Sequence, residues 1–213
     1  MEIILIGDSG HAKVIRDCVE SSGHKVIAML DDKYDKVHIS SSMTRGPIEH
    51  VYTLLQESNR KVLISIGNNE IRKNITYRLN LLDKDYATII HKSAIISNSA
   101  KIGIGSVIMP GAILNADSQI GNHCIINTNA VVEHDCIVSD FVHISPNSTL
   151  TGGVKISKGV HLGAGSTVIP LKSIGKWTTV GAGSVVIDDL PPNCTAVGIP
   201  AKPIKFHISM KKI

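Results

Sequence analysis

Aromatic residues are scarce in this 213-residue sequence, which has one Trp, four Tyr and two Phe. A chain of this length has room for one or two domains with a real core, so Ile, Val and Leu must fill that core. Cysteines are few, and none forms a CxxC pair, which removes the usual local signature of a zinc or thiol-redox motif. Cys124 and Cys136 take small positions in the repeat described below, so we expect them to be reduced core thiols.

Long apolar runs and dense blocks of positive charge are missing too. No apolar stretch reaches the roughly 20 residues of a membrane-spanning helix. Glu2 and Asp8 interrupt the first apolar run, so we expect no signal peptide and a cytoplasmic protein. No dense Lys/Arg block precedes the short tail Met210–Lys212, which argues against a nucleic-acid partner, and the net charge of +4 suits small anionic ligands better.

A six-residue repeat dominates the chain from Ile90 to Val186. Every sixth residue there is aliphatic, and the residue four places later is small or β-branched, with Lys172 the exception. Strands have period two and helices 3.6, so a strict period of six indicates short straight segments joined by corners. Repeated stacking of such segments with the aliphatic side chains inside is a parallel β-helix.

Three segments closing a triangular prism make eighteen residues per coil, so residues eighteen apart stack. The third residue of each hexapeptide then defines three corners. The histidine corner is Ala116, His134, Gly152 and Pro170; the alanine corner is Thr128, Pro146, Ala164 and Ala182; the lysine corner is Asn122, Asp140, Lys158 and Lys176. We expect the lysine corner to face water and the other two to approach a ligand or another subunit. His134, between Ala116 and Gly152, lies in a local hollow that favours a functional role.

Residues 1–89 have a different pattern, in which apolar strands alternate with helical segments and predict a small parallel α/β sheet. The first strand leads through Gly7-Asp8-Ser9-Gly10-His11 into a helix, which suits a phosphate at the helix N-terminus. A tight turn that needs glycines explains the same motif equally well. Asp31 and Asp32 follow the second strand, where Rossmann-like folds bind ribose or base, although an exposed polar turn remains an alternative.

The repeat stops after Val186, and the prolines of Asp188-Asp189-Leu190-Pro191-Pro192 are expected to prevent further ladder bonding. We therefore divide the chain into an α/β domain at 1–89, a β-helix at 90–187 and a C-terminal segment at 188–213.

Several motifs together resemble one family, the bacterial nucleotide-sugar acetyltransferases of the left-handed β-helix superfamily. The similarity is greatest to the UDP-4-amino-sugar N-acetyltransferases, and sialic acid O-acetyltransferases are similar over the same length. The motifs are Gly7-Asp8-Ser9-Gly10-His11, Leu30-Asp31-Asp32, Ile66-Gly67-Asn68-Asn69-Glu70-Ile71-Arg72, the hexapeptides, Val132-Glu133-His134-Asp135 and Gly198-Ile199-Pro200-Ala201-Lys202-Pro203. The left hand is implied by this resemblance, since the usual crossover rule predicts a right-handed connection.

The resemblance implies a homotrimer that binds acetyl-CoA in grooves between neighbouring prisms and transfers its acetyl group to the amine of a nucleotide-linked sugar. It makes His134 the general base, with Asp135 beside it, shorter than the Glu that many members have. It places acetyl-CoA against Asn127, His143, Gly152, Ala164, Ala182, Lys202 and Pro203. It places the nucleotide sugar against Gly7, Ser9, Gly10, His11, Asp31, Asp32 and Asn68.

Two other functions compete with this interpretation. O-acetylation of a sialic acid or related sugar uses the same donor. Some hexapeptide-repeat proteins are zinc carbonic anhydrases, and His123, His134, His143 and His161 are candidate ligands, with His143 and His161 on one side of the prism. No HxxxH-type local pair supports that site, so we expect no metal. A trimeric scaffold without catalysis leaves His134 and the Gly10 turn unexplained.

Overall fold

A computed structural model describes residues 1–40 and 43–207. The N-terminal domain contains β1 (Glu2–Ile6), α1 (Gly10–Ser21), β2 (Lys25–Leu30), β3 (His38–Ile39), β4 (Thr44–Gly46), α2 (Val51–Leu54), β5 (Arg60–Ile64) and α3 (Asn69–Leu79). Its sheet has the order β3-β4-β2-β1-β5 and is parallel except for β3 against β4. The predicted small α/β sheet is therefore confirmed, with two short edge strands that the sequence pattern did not indicate.

Strand β1 is buried on both faces, as its continuous apolar sequence predicts. Ile3 and Leu5 pack in one cluster with Ala12, Ile15, Cys18 and Val19 of α1. Ile4 and Ile6 pack in a second cluster on the opposite side, with side chains of α2 and α3. The glycine-containing loop after β1 is thus held at the carboxyl edge of a rigid sheet.

The repeat forms a prism of seventeen two-residue strands. They are β6 (Ile89–Ile90), β7 (Ile95–Ile96), β8 (Lys101–Ile102), β9 (Val107–Ile108), β10 (Ile113–Leu114), β11 (Gln119–Ile120), β12 (Ile125–Ile126), β13 (Val131–Val132), β14 (Ile137–Val138), β15 (His143–Ile144), β16 (Thr149–Leu150), β17 (Lys155–Ile156), β18 (His161–Leu162), β19 (Thr167–Val168), β20 (Ser173–Ile174), β21 (Thr179–Val180) and β22 (Val185–Val186). Each strand pairs in parallel with the strand eighteen residues away, for example His143 with His161. The predicted coil length is confirmed.

Three sheets form the sides of the prism, and each has a different outer surface. The domain face (β6, β9, β12, β15, β18, β21) lies under the N-terminal domain, because Ile89, Val107 and Ile125 share a buried cluster with α1. The bare face (β7, β10, β13, β16, β19, β22) presents Ile95, Ile113, Val131, Thr149, Thr167 and Val185. The charged face (β8, β11, β14, β17, β20) presents Lys101, Gln119, Ile137, Lys155 and Ser173.

The corners explain why the period is six. Every sixth residue from 105 to 183 has a positive φ, so one left-handed residue turns the chain at each corner. Gly, Asn and Asp hold most of these positions, and they are the residues that tolerate this conformation best. The inward aliphatic residues from Ile108 to Val186 form one buried cluster, as predicted. At the open end of the first coil, Ile96 and Ile102 are only partly buried and Ile90 is 39% exposed.

Two expectations about the prism are wrong. The ladder does not end at Pro191 and Pro192, because β23 (Cys194–Gly198) pairs in parallel with β21 and β24 (Ala201–Phe206) extends the same sheet. The two prolines lie in the connection before β23, where no ladder bond from their nitrogen is needed. The lysine corner also does not simply face water, because α3 packs along it, as described below.

Candidate active site

His134 and Asp135 form a hydrogen-bonded pair at the histidine corner, which lies between the bare and charged faces. Their Nδ1 and Oδ2 atoms are 2.8 Å apart, and both side chains are more than half exposed. Asp135 is the left-handed corner residue, with φ 59°, and this backbone turn brings its short side chain within reach. The hydrogen bond to Asp135 raises the pKa of His134. With Nδ1–H donated to the carboxylate, Nε2 of the neutral ring is left as a proton acceptor.

Gly152 lies directly beside the His134 ring, one coil further along. A Cβ placed on Gly152 would come within 2.6 Å of both Cε1 and Nε2 of His134. Any larger residue would therefore displace the imidazole from this position. The predicted stacking of His134 between Ala116 and Gly152 is thus observed on the Gly152 side, where the missing side chain leaves room for the ring.

A second group of polar side chains lies on the domain face. His143 Nδ1 is 3.2 Å from the carbonyl oxygen of Gly67, and its Nε2 is 3.0 Å from Asn127 Nδ2. His161 stacks on His143 with ring centroids 4.9 Å apart, and the His11 ring is 6.1 Å from His143. Burial, and then the neighbouring His161 and Arg72, lower the pKa of His143 to about 3. His143 is therefore neutral at physiological pH.

A cavity of about 1400 Å³ opens between the N-terminal domain and the domain face. Its lining includes His11, Gly67, Asn68, His143, His161 and Trp177. The structure thus brings together His11 and Asn68, predicted for the nucleotide sugar, with His143, predicted for acetyl-CoA. His134 does not line this cavity, because its corner is on the opposite side of the prism from the domain face.

The loop after β1 shows which of its glycines the fold requires. Gly7 has φ +113°, and a Cβ there would meet Ile66 Cγ1 at 2.7 Å, so the turn itself needs this glycine. Gly10 begins α1, and a Cβ there would meet nothing within 4 Å. Ser9 precedes the helix without forming a side-chain capping bond. The helix start therefore offers free space and backbone N–H groups to an anion.

Three residues predicted to bind the nucleotide sugar also have structural roles. Asp31 accepts hydrogen bonds from the backbone N–H of Asp8 (2.8 Å) and of Lys33 (3.1 Å) and so shapes the β1–α1 loop. Asp32 forms a bidentate pair with Arg78. The side-chain oxygen of Asn68 caps α3 by accepting from Ile71 N–H. A contact of these three residues with the substrate stays a prediction.

The other residues predicted to contact acetyl-CoA follow the alanine corner toward the C-terminal end. Ala164 and Ala182 are exposed there. Pro203 pairs with Ala196 in the terminal hairpin, and Lys202 Nζ is 2.8 Å from Asp188 Oδ2. The tail Met210–Lys212 lies outside the described residues.

The candidate zinc ligands do not converge. Within residues 1–40 and 43–207, no group of three or more His, Cys, Asp or Glu side chains is arranged to hold a metal ion. His143 and His161 share the domain face, whereas His134 lies on the far corner and His123 is buried between Tyr86 and Phe141. In the same described residues, no helix is long and apolar enough to span a membrane.

Acidification should destabilise the protein because its buried histidines are held neutral. Burial lowers the pKa of His123 to about 4 and of His143 to about 3, and it also lowers the pKa values of His11 and His161. The unfolded chain binds these protons near pH 6.5 while the folded chain does not, so the stabilisation is complete above about pH 6.5 and is lost as pH falls toward 4. His123 and His143, whose pKa values fall to about 4 and about 3, each contribute about 1.4 kcal/mol per pH unit in that window.

Thermal unfolding between pH 7.5 and 5 measures this effect. The melting temperature of the parent should fall steadily as the pH is lowered over that range. The melting temperature of His123→Gln should fall less steeply. A melting temperature that is constant from pH 7.5 to 5 would contradict the assignment of these histidines as neutral.

Comparison with known proteins agrees with both parts of the fold. Residues 2–79 match the PglD N-terminal domain family, and residues 99–134 match the bacterial transferase hexapeptide (six repeats) family. The UDP-N-acetylbacillosamine N-acetyltransferase of Bacillus subtilis (strain 168) is 47% identical over 109 residues. That match covers 50% of this chain and 50% of the relative, so it spans about half the length of this curated relative.

Solved structures match over almost the whole chain. A histidine variant of perosamine N-acetyltransferase from Caulobacter crescentus, in complex with CoA and GDP-perosamine, is 35% identical with a TM-score of 0.88, covering 96% of this chain and 97% of that one. The acetyltransferase domain of PglB from Neisseria gonorrhoeae FA1090, in complex with acetyl coenzyme A, is 33% identical with a TM-score of 0.85, covering 95% and 98%. The chain belongs to the nucleotide-sugar N-acetyltransferases of the left-handed β-helix, hexapeptide-repeat class.

Proposed function

We propose that this protein transfers an acetyl group from acetyl-CoA to the amino group of a UDP-linked 4-amino-4,6-dideoxy sugar, in the biosynthesis of a surface polysaccharide or glycan. The observation that carries the proposal is the His134–Asp135 pair, with Nδ1 and Oδ2 2.8 Å apart beside Gly152. Such a pair supplies a proton acceptor whose pKa is raised by its hydrogen bond to the carboxylate, and an amine nucleophile needs such a base. Since acetyl-CoA is a cytoplasmic metabolite, we place the reaction in the cytoplasm.

The reaction follows from the properties of this pair. The neutral amine attacks the thioester carbonyl, and Nε2 of His134 takes the proton that the nitrogen loses. Asp135 holds the ring in the required tautomer and stabilises the imidazolium as it forms. The tetrahedral intermediate then breaks its C–S bond, and the proton on His134 passes to the departing CoA thiolate. A backbone N–H in the Gly152 region is a candidate donor to the oxyanion.

No acyl-enzyme step is needed. All four cysteines are buried in the fold, so none offers a thiolate to the substrate. Burial also raises the pKa of Cys124 to about 12, which keeps that thiol protonated. Direct transfer between two bound substrates therefore fits the side chains that are accessible at the site.

The two halves of the proposed site lie on opposite sides of one chain, which supports a homotrimer. The N-terminal domain and His143 lie on the domain face, and His134 lies on the corner opposite to it. The histidine and alanine corners flank the bare face, whose outer residues are uncharged and mainly aliphatic. A second copy packed against this face would bring the histidine corner of one prism next to the alanine corner of another. Three such contacts close a ring.

In this arrangement each groove takes both substrates. The N-terminal domain holds the nucleotide sugar, with the diphosphate at the start of α1 near Gly10 and His11. The donor lies along the prism, with its acetyl group between His134 of one copy and Asn127 and His143 of the next. The pantetheine chain passes Ala164 and Ala182, and the CoA nucleotide reaches Lys202 and Pro203.

An assay of acceptor nucleotides tests the proposal. Purified protein is mixed with acetyl-CoA and UDP-, dTDP- or GDP-linked 4-amino sugar, and CoA release is followed. We expect the highest kcat/KM with the UDP compound and no turnover with its 4-hydroxy counterpart, which is the control for O-acetylation. A preference for the GDP compound would show that the acceptor carries GDP and not UDP. Turnover of sialic acids alone, or of no amine, would contradict the proposal.

A further inference from the structure

We propose that Arg72 is a positioning residue that clamps the two domains together and holds His143 in a single neutral tautomer at the acetyl-transfer site. The role of His143 in that site rests on the function proposed above. The hydrogen-bond network itself is a property of the folded chain and is testable without substrate.

Arg72 is fully buried, and all its N–H groups have oxygen acceptors. Its relative exposure is 1%. The acceptors are His123 O (2.8 Å), Ile66 O (2.9 Å), Gly67 O (3.2 Å), Asn69 Oδ1 (2.8 Å) and Phe141 O (3.1 Å). Every one is a neutral oxygen, and among the described residues Arg72 takes part in no salt bridge. A buried charge with only neutral partners is costly, so its geometry is tightly constrained.

These acceptors belong to both domains. Ile66 and Gly67 form the β5–α3 loop of the N-terminal domain, whereas His123 and Phe141 are corner residues of two successive coils. One side chain thus fixes the loop relative to the prism. Because all five N–H groups are used, a sliding of the loop by even one residue would break several bonds at once.

Neighbouring residues of α3 extend the same contact along the lysine corner. Asn69 Nδ2 donates to the carbonyl oxygens of Gly159 (3.1 Å) and Val160 (3.0 Å). Lys73 Nζ lies 5.1 Å from the centre of the Trp177 ring. Helix α3 therefore contacts four successive coils along the lysine corner, and Arg72 alone contacts two of them.

The carbonyl of Gly67 links Arg72 to His143. It accepts from Arg72 Nη1 and lies 3.2 Å from His143 Nδ1. A carbonyl only accepts, so Nδ1 must carry the proton and Nε2 must hold the lone pair. That lone pair accepts from Asn127 Nδ2, whose own Oδ1 accepts from the backbone N–H of Thr128 at 2.8 Å.

Each donor and acceptor in the network is therefore fixed: Thr128 N–H donates to Asn127, Asn127 donates to His143, and both His143 and Arg72 donate to the Gly67 carbonyl. The network leaves His143 without a free lone pair, so His143 is a fixed wall of the acetyl pocket and His134 is the base. The positive charge of Arg72 further disfavours a proton on His143 Nε2, in addition to the effect of burial. Without the Arg72 clamp, Gly67 O moves and His143 regains access to both tautomers and to protonation.

Histidine-labelled NMR on Arg72→Lys tests this role. In the parent protein, His143 should show a protonated Nδ1, an unprotonated Nε2 and no titration above pH 5. The signals are assigned with His143→Gln. In Arg72→Lys, which keeps the charge but loses the forked geometry, we expect mixed tautomers and a His143 titration that begins above pH 5. The kcat should fall about 10²-fold, as for misplacement by about 1 Å, and its pH profile should gain a second ionisation.

Lys73→Gln is the matched control, since Lys73 is the next residue of the same helix and contacts the same corner but not Gly67. It should lower the melting temperature while the His143 signals stay those of the parent. Unchanged His143 signals in Arg72→Lys would overturn the proposal. If Arg72→Lys does not fold, the His143 signals of the parent protein still test the proposal. A parent His143 that is protonated at Nε2, or that titrates near pH 6.5, is incompatible with the network. A protein inactive on every acceptor but with the expected His143 signals would refute the proposed function and leave this inference standing.

Discussion

His134→Ala should lower kcat by about 10²–10⁴-fold, the usual cost of losing a general base. The fold should be retained, because the His134 side chain is 62% exposed and contributes little to the core. Residual activity should rise with pH only as the free amine does, since the ionisation of His134 is gone. Steady-state kinetics from pH 5.5 to 9, with circular dichroism to confirm folding, measure both effects.

Asp135→Asn distinguishes the contribution of Asp135 to catalysis from that of His134. An amide keeps a similar shape but no longer stabilises the imidazolium, so the variant should lose less activity than His134→Ala. The hydrogen bond to Asp135 raises the pKa of His134, so the kinetic pKa should move downward in Asp135→Asn. His91→Ala, which removes a histidine of the first coil, is the control and should behave as the parent. Near-parent kcat in His134→Ala would make His134 a bystander, and another group would have to accept the proton of the amine.

The prism was the most predictable part of the molecule, because its signal is repeated in every coil. Ile108, Ile126 and Ile144 each fill the same position, and one geometry explains them all. The contact of His134 with Gly152 followed from the same periodicity, since residues eighteen apart must stack. The resemblance predicts Asp135 as the partner of His134, and the left-handed corner backbone supplies the reach that its short side chain needs.

Features that depend on packing between distant segments were not predictable in this way. Nothing in the pattern of Ile89, Val107 and Ile125 distinguishes a face covered by another domain from one that contacts a second copy. Arg72 ends the Ile66–Arg72 motif, yet its burial depends on carbonyls more than fifty residues away. Pro191 and Pro192 suggested an end to the ladder, but proline excludes a bond only at its own nitrogen, and the chain rejoins the sheet at Cys194.

Thr149→Arg should convert the assembled protein into monomers with little activity. Thr149 is in the middle of the bare face, between Val131 and Thr167 in its sheet. In the proposed trimer an arginine there would be buried against an uncharged surface without a partner, and each assembly would contain three of them. An unpaired buried charge costs several kcal/mol. The separated chain would keep His134 and the cavity but lose their juxtaposition, so kcat/KM should fall about 10²-fold or more.

Light scattering and kinetics on the same samples give the result. The parent should have three times the 22.8 kDa mass of one chain, and Thr149→Arg should have the mass of one chain with an unchanged far-ultraviolet spectrum. Gln119→Arg places the same side chain on the charged face and is the matched control, with the parent's mass and activity expected. A parent that is monomeric and fully active would contradict the shared groove. A monomeric, fully active Thr149→Arg would do the same, because one chain would then be enough to bring His134 to the acceptor.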